Sequence, residues 1–525
     1  MNVIKQIEAM VQVHGDRLCF SSRSGSMCYD EMWRDVGKLA HWLDGVLGDN
    51  RDPVVVYGHK DPLMLVCFLA CARSGRAYCP VDTNMPLERV SEIIQMVANP
   101  VVLTTETLHA GVSTNSRVMT PAAIKAVLAE QSAAAYRNHY DPSANHYIIF
   151  TSGSTGKPKG VMITGDNLGR YLDWIIGIGG DATAAPQVYL NQAPFSFDLS
   201  VMDLYRSLVT GGTLWCVDKA LQQDVPEMLT YIQTGQINTW VSTPSFADVC
   251  LSEADFDSAH FPSIDLFLFC GETLHKATAA KLLTRFPAAQ VFNTYGPTET
   301  TVCVTAVPVT KDMTNAEGAL PIGVPKPDLA VRIVAEDGSL AAPGDKGEMT
   351  IVGDTVSPGY YKNPEKTAAA FFTTTLNGRP VRGYRTGDVG YYGPDGLLYY
   401  EGRIDQQIKW HGYRIELGDI ESNLTKLDGV AKAAVVPNRS GDQIKHLAAF
   451  VIREAVAHPE QECAAFEKAP GGWTLTDGYA GRKWVRAGLK QIVPNYMVPK
   501  QVIFVDHFPL SQNGKIDKKQ LAQSL

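Results

Sequence analysis

The ten residues Thr151-Ser152-Gly153-Ser154-Thr155-Gly156-Lys157-Pro158-Lys159-Gly160 follow directly on the apolar run Tyr147–Phe150. Three glycines, four hydroxyls and two lysines bring backbone N–H, O–H and ammonium donors into one short loop. Such a loop suits a polyphosphate, whose charge it offsets. The P-loop pattern is not met. That pattern places four residues between Gly and Gly-Lys-Ser/Thr, whereas here only Ser154 and Thr155 intervene and Pro158 bars a following helix. A solvated turn without a ligand accounts for these residues equally well.

Later segments carry side chains of matching chemistry. In Asn293-Thr294-Tyr295-Gly296-Pro297-Thr298-Glu299, Tyr295 offers a flat face to a nucleobase and Glu299 a hard oxygen ligand for Mg2+. In Tyr384-Arg385-Thr386-Gly387-Asp388, Asp388 offers two acceptor oxygens, and Arg403 is a donor further along. Singly, these read as a core tyrosine, surface carboxylates and a surface cation. Lys515, in Asn513-Gly514-Lys515-Ile516-Asp517, would by itself be solvent decoration. Two further stretches are Gly402-Arg403-Ile404-Asp405-Gln406-Gln407-Ile408-Lys409 and Gly412-Tyr413-Arg414-Ile415-Glu416. Taken in order, all of these closely resemble the motifs of the adenylate-forming superfamily. Its members include acyl-CoA synthetases, firefly luciferases and the adenylation domains of peptide synthetases.

The resemblance implies an enzyme that joins a carboxylate to the α-phosphate of ATP, with Mg2+, and then hands the acyl group to a thiol. It assigns ATP binding to Thr151, Ser152, Gly153, Ser154, Thr155, Gly156 and Lys157. To these it adds Gly271, Glu272, Asn293, Thr294, Tyr295, Gly296, Pro297, Thr298, Asp388, Tyr400 and Arg403. Glu299 becomes the metal ligand, Asp405 the hinge, and Lys515 the catalytic lysine touching both ATP and the substrate. Acid–base help is hardly needed, since a carboxylate is already ionised at neutral pH. The demand is for charge neutralisation around the α-phosphoryl group, by Lys515 and Mg2+.

The segment Phe195-Ser196-Phe197-Asp198-Leu199-Ser200 points to the acid. A substrate ammonium in a dry pocket must be paired. Asp198 matches the aspartate that amino-acid-activating members use for this pairing, and acyl-CoA synthetases typically lack it. The run from Leu190 to Tyr205, with Ser242-Thr243-Pro244-Ser245-Phe246 and Phe269-Cys270-Gly271-Glu272, resembles the branch that activates D-alanine for teichoic acid D-alanylation. That branch's pattern lines the pocket with Asp198, Leu199, Met202, Ser242, Leu268, Cys270, Thr294, Val302 and Cys303, beside Lys515. Cys270 would limit the side chain to about a methyl group. Cys303 departs from the branch, where alanine is expected. The alternative is a stand-alone adenylation enzyme for glycine, L-alanine, serine or proline, and an acyl-CoA synthetase is a more remote reading.

Composition works by exclusion. The chain has 525 residues with 47 basic and 55 acidic side chains, a net charge of −8. That balance disfavours nucleic acid or an anionic membrane as partner. The most apolar stretch, Leu63 to Ala72, falls far short of the ~20 residues of a membrane span and reads as a buried helix. Ten sparse cysteines and the lack of a signal peptide predict reduced thiols in a cytoplasm, with no membrane insertion. Apolar runs alternating with helical segments predict an α/β class with buried parallel strands. After about residue 320, alternating patterns around Asp-Gly turns predict antiparallel hairpins, and residues 469–481 read as a loop.

The expected architecture is a large N-terminal body of α/β subdomains plus a β-rich subdomain, residues 1–403. A small, hinged α+β C-terminal domain follows, residues 404–525. The chain stops ten residues after Lys515, so the thiol is expected on a separate, acidic, phosphopantetheinylated carrier protein. A basic patch of Arg403, Lys409 and Arg414 is expected to receive that carrier.

Overall fold

In the computed structural model the short apolar runs become the parallel strands of two sheets. Residues 1–130, 136–152, 157–182, 184–185, 187–404, 407–441, 443–453, 466–468, 474–476, 479–509 and 516–525 are described. Among them, Val54–Gly58, Tyr78–Asp82 and Val101–Thr104 lie side by side in a seven-stranded sheet, parallel and buried throughout. Asn145–Thr151 joins this sheet beside Tyr78–Asp82 and turns back antiparallel into Lys159–Thr164. A second, nine-stranded sheet holds Val188–Asn191, Thr239–Ser242, Leu266–Phe269 and Gln290–Tyr295, all parallel.

The helix Pro62–Arg73 touches strands of both sheets. Asp61 caps it by accepting from the Leu63 N–H, and Pro62 takes the first position, where no N–H is needed. Every residue of the helix is buried. A helix apolar on all sides must be covered on all sides, and here a sheet lies to either side. Cys67 and Cys71 are free thiols in this core.

From Leu329 the chain builds an antiparallel sheet of Leu329–Val334, Gly347–Gly353, Phe371–Leu376, Arg379–Tyr392 and Leu398–Arg403. Its turns at Asp337 and Asp395 close as each carboxylate accepts from the N–H two residues on.

Beyond Arg403 come a hairpin, Gln407–Trp410 with Tyr413–Glu416, and a mixed sheet containing Val430–Ser440, Gln443–Arg453 and Gln501–Val505. Ile408 and Ile415 of the hairpin pack with Val435, Leu447 and Leu489 on one face of this sheet. Ile516 and Leu521 pack with Ala448 and Ile503 in a separate cluster. The loop expected over 469–481 is corrected in part. Thr474–Thr476 is a strand on the edge of Gln501–Val505, and the helix Tyr479–Ile492 has begun by Tyr479. An open strand edge supplies pairing that a local reading of a Gly-rich segment cannot foresee. No described helix is long and apolar enough to cross a membrane.

Candidate active site

Parallel strands deliver their C-terminal ends to one rim, and ligands of open α/β sheets bind there. Gln192, Thr243, Cys270 and Gly296 each follow directly on such a strand, and all line a cavity of about 110 Å³ that the hairpin closes. Asp198 and Leu199, at the start of the helix Leu199–Val209, line the same cavity. Burial pushes the Asp198 carboxyl up to about 6, against the pull of the Thr298 hydroxyl and the Lys409 ammonium. Those two partners offset only part of the cost of burying its charge.

Cys270 and Val302 both line the cavity. Val302 gets there through a forced turn: Thr301 and Val302, both β-branched, have φ of 68° and 65°. Such strain persists only where the surroundings demand it. Here the Thr301 hydroxyl donates to the Thr355 carbonyl at 2.8 Å. A Cβ on Gly296 would lie 2.5 Å from the Cys303 Cα, so only glycine lets the two backbones pass. Met202, Ser242, Leu268, Thr294 and Cys303 are buried behind the lining. Ser242 accepts from the Trp240 indole, and Thr294 donates to the Phe269 carbonyl. Burial pushes the Cys303 thiol up, and it rests against the Tyr171 hydroxyl at 3.8 Å.

Asp388 and Arg403, which also line the cavity, face one another across paired strands, in register. Arg403 Nη1 is 2.5 Å from Asp388 Oδ1, and the Tyr295 hydroxyl donates to Oδ2 at 2.5 Å. The carboxylate keeps acceptor capacity for a further hydroxyl, since each oxygen has two lone pairs. Tyr400 leans on Tyr295, ring centroids 6.2 Å apart. Asn293 turns away and donates to the Pro321 carbonyl.

Gln407, Lys409, Gly412, Tyr413 and Arg414 of the hairpin line the cavity as well. Its Gly412 N–H donates to Glu272 Oε1 at 2.8 Å, while the Ser245 hydroxyl holds Oε2. Lys409 lies 5.4 Å above the Tyr295 ring, and Tyr413 meets Phe197 edge-on while stacking on Tyr496. Arg414 Nη1 contacts both oxygens of the fully buried Glu299, at 2.8 and 2.7 Å, and the Tyr360 hydroxyl donates to one of them. Burial alone would raise this carboxyl; Arg414 and Lys159 hold it at about 2. The expected basic patch is therefore corrected. Arg403 is held against Asp388 by its strand pairing, and Arg414 is turned against Glu299 and Lys409 over a ring because the hairpin packs into the site instead of facing solvent.

Among the described residues no cluster of three or more His, Cys, Asp or Glu gathers. The buried carboxylate of Glu299 is a hard oxygen donor of the kind that suits Mg2+, which commonly takes one or two carboxylates and completes its shell with water and substrate phosphates. Thr151 and Ser152 line the cavity, and Lys157 is exposed. Gly153, Ser154, Thr155, Gly156, Asp405 and Lys515 lie outside the described residues. Sequence reading counted Lys159 among the donors of the expected phosphate-binding loop and left Glu416 without a role; the structure sets the two 3.6 Å apart. Strand alternation from Arg414 would have placed Glu416 on the same face.

Fold and site define an adenylate-forming enzyme body closed by a C-terminal domain. Residues 7–361 match the model of the AMP-binding enzyme family and residues 419–515 that of the AMP-binding enzyme C-terminal domain. The chain belongs to this family. It is 39% identical over 531 aligned positions to the D-alanine–D-alanyl carrier protein ligase of Bacillus thuringiensis (strain Al Hakam), covering 99% of each chain. Among solved structures, holo-PA1221, a peptide synthetase protein with adenylation and PCP domains, matches all of this chain and 84% of its own, with a TM-score of 0.80 at 24% identity. The Vibrio cholerae adenylation domain AlmE, in complex with glycyl-adenosine-5'-phosphate, covers 99% of this chain and 97% of its own at a TM-score of 0.77 and 22% identity.

Proposed function

We propose that the protein is an AMP-forming ligase that activates D-alanine with ATP and transfers it to the phosphopantetheine thiol of a separate, acidic carrier protein in the cytoplasm. The observation that carries this reading is Asp198, a carboxyl that lines one cavity together with Cys270 and Val302. The likeness to the Bacillus ligases over the whole chain supports the D-alanine assignment.

In the first step a substrate carboxylate oxygen bonds to the α-phosphorus of ATP as the bond to the β-phosphate oxygen breaks, releasing pyrophosphate. Asp198 pairs the ammonium, Tyr295 and Gly271 flank the base, and Asp388 with Arg403 takes the ribose. Residues 151–157 and Lys159 hold the departing phosphates, and Lys515 neutralises the α-phosphoryl oxygens. Mg2+ held by Glu299 would supply further charge neutralisation there. In the second step the carrier's sulfur attacks the acyl carbon, AMP leaves, and the thiol proton goes to solvent. A swing about Asp405 would separate the two steps. Exchange of labelled pyrophosphate into ATP should depend on D-alanine far more than on L-alanine, glycine, serine or proline. Exchange with none of these overturns the amino-acid reading. Lys515→Ala should abolish exchange, and an unaffected rate would remove that residue from the mechanism.

A further inference from the structure

Lys60, just beyond the strand Val54–Gly58 of the seven-stranded sheet, is only 1% exposed. Its ammonium donates to the carbonyls of Asn191 at 2.9 Å, Gln192 at 2.7 Å and Val217 at 2.7 Å. An ammonium has three hydrogens, so all of them are placed. Burial pulls the group down only to about 8, and it keeps its charge at neutral pH. Its backbone is held at a φ of 44°, a conformation that a long side chain seldom adopts. All three acceptors belong to the other large sheet. Asn191 ends the strand Val188–Asn191, Gln192 leaves it, and Val217 follows the neighbouring strand Thr213–Cys216. A second tie meets at Asn191, whose side-chain amide donates to both oxygens of Asp203, at 3.2 and 3.1 Å, in the helix Leu199–Val209. Asn191 and Asp203 are wholly buried.

We infer that Lys60 is a positioning residue for amino-acid binding: its ammonium, together with the Asn191–Asp203 clamp, fixes both ends of the segment that brings Asp198 to the cavity. The inference rests on the amino-acid-activating reading above and deepens it. From Gln192 to Leu199 this segment lines the cavity at every position except Phe195. Lys60 holds its first end through two successive carbonyls. Asp203, one helical turn beyond Leu199, returns the second end to the same asparagine. None of Lys60, Asn191 and Asp203 lines the cavity, so they act on it through the segment. Apolar side chains would hold the two sheets together at lower cost, because a charge out of water is tolerated only where its bonds are complete. What the ammonium adds is place. Three charge-assisted bonds set the exit of the strand Val188–Asn191 against the opposite sheet, and an error of an ångström at Asp198 is felt by the substrate it pairs.

Pyrophosphate exchange is measured on the full-length protein, with the KM for D-alanine and the KM for ATP taken separately. Lys60→Met keeps the length of the side chain and removes every donor. It should raise the KM for D-alanine about tenfold or more, the equivalent of one charge-assisted hydrogen bond, and leave the KM for ATP within about twofold. Asn191→Ala keeps the carbonyls that Lys60 holds and removes the clamp, and it should raise the same KM about threefold or more. A purely structural role lowers the amount of folded enzyme, and with it kcat, without moving either KM. An unchanged KM for D-alanine in either variant, or an equal rise in both KM values, overturns the inference. Where one variant does not fold, the other decides; failure of both to fold makes the triad a support of the core and overturns the inference too. Failure of the ligase reading would show elsewhere, as absence of amino-acid-dependent exchange in the unaltered protein.

Discussion

Asp198 is a carboxyl whose ordinary value burial has raised to about 6. Ionising it in the ligand-free fold is costly, so its contribution to stability is present at low pH and lost as pH rises through about 6. A substrate ammonium reverses that cost, but only for the ionised carboxylate. The KM for the amino acid in pyrophosphate exchange should therefore be level above pH 6 and rise about tenfold for each unit below it. A level profile between pH 5 and 6 would remove Asp198 from substrate pairing. Asp198→Asn should abolish the slope and weaken binding at least a hundredfold, the consequence of about 3 kcal/mol or more for leaving a buried charge without its partner. The aspartate itself was legible in the sequence, because its type and neighbours mark it. Its neighbour Lys409 was not, because that ammonium comes from over two hundred residues away and arrives only with the docked hairpin.

The hairpin is the element on which the site turns, and Gly412 is its most constrained residue. Its φ is +77°, and a Cβ there would lie 2.5 Å from the Thr243 methyl carbon. Gly412→Ala should push the hairpin off Glu272 and lower the rate of thiol transfer from preformed adenylate about a hundredfold, the usual effect of an ångström's misplacement. Single-turnover transfer measures this, and an unchanged rate would separate the hairpin from the second step. Elements set by local pattern were readable: the Val-rich strands, the capped helix Pro62–Arg73 and the Asp-Gly turns. Elements set by a distant edge were not. Thr474–Thr476 is a strand because Gln501–Val505 needs a neighbour, and Arg414 meets Glu299 across a sequence separation of 115. Periodicity carries no information about such encounters.

At the scale of the whole molecule two bodies touch through ion-pair latches and the edge-on contact of Tyr413 with Phe197. Arg89 of the helix Leu87–Val97 lies 3.7 Å from Asp419, and Lys159 and Glu299 reach across to Glu416 and Arg414. Among the described residues their apolar interiors do not merge. One cluster runs from Val3 through both large sheets to Ile351 and Leu398 of the β-rich subdomain. The interior beyond residue 407 closes on itself. Separate interiors joined by ion pairs melt separately. Scanning calorimetry should resolve two endotherms, the smaller one moving to lower temperature as salt weakens the latches; a single salt-insensitive endotherm would show one cooperative unit. The helix Pro62–Arg73 decides the larger endotherm's shape. Wedged between two sheets, it is a stretch whose loss would strip both at once, so neither sheet can outlast the other on heating.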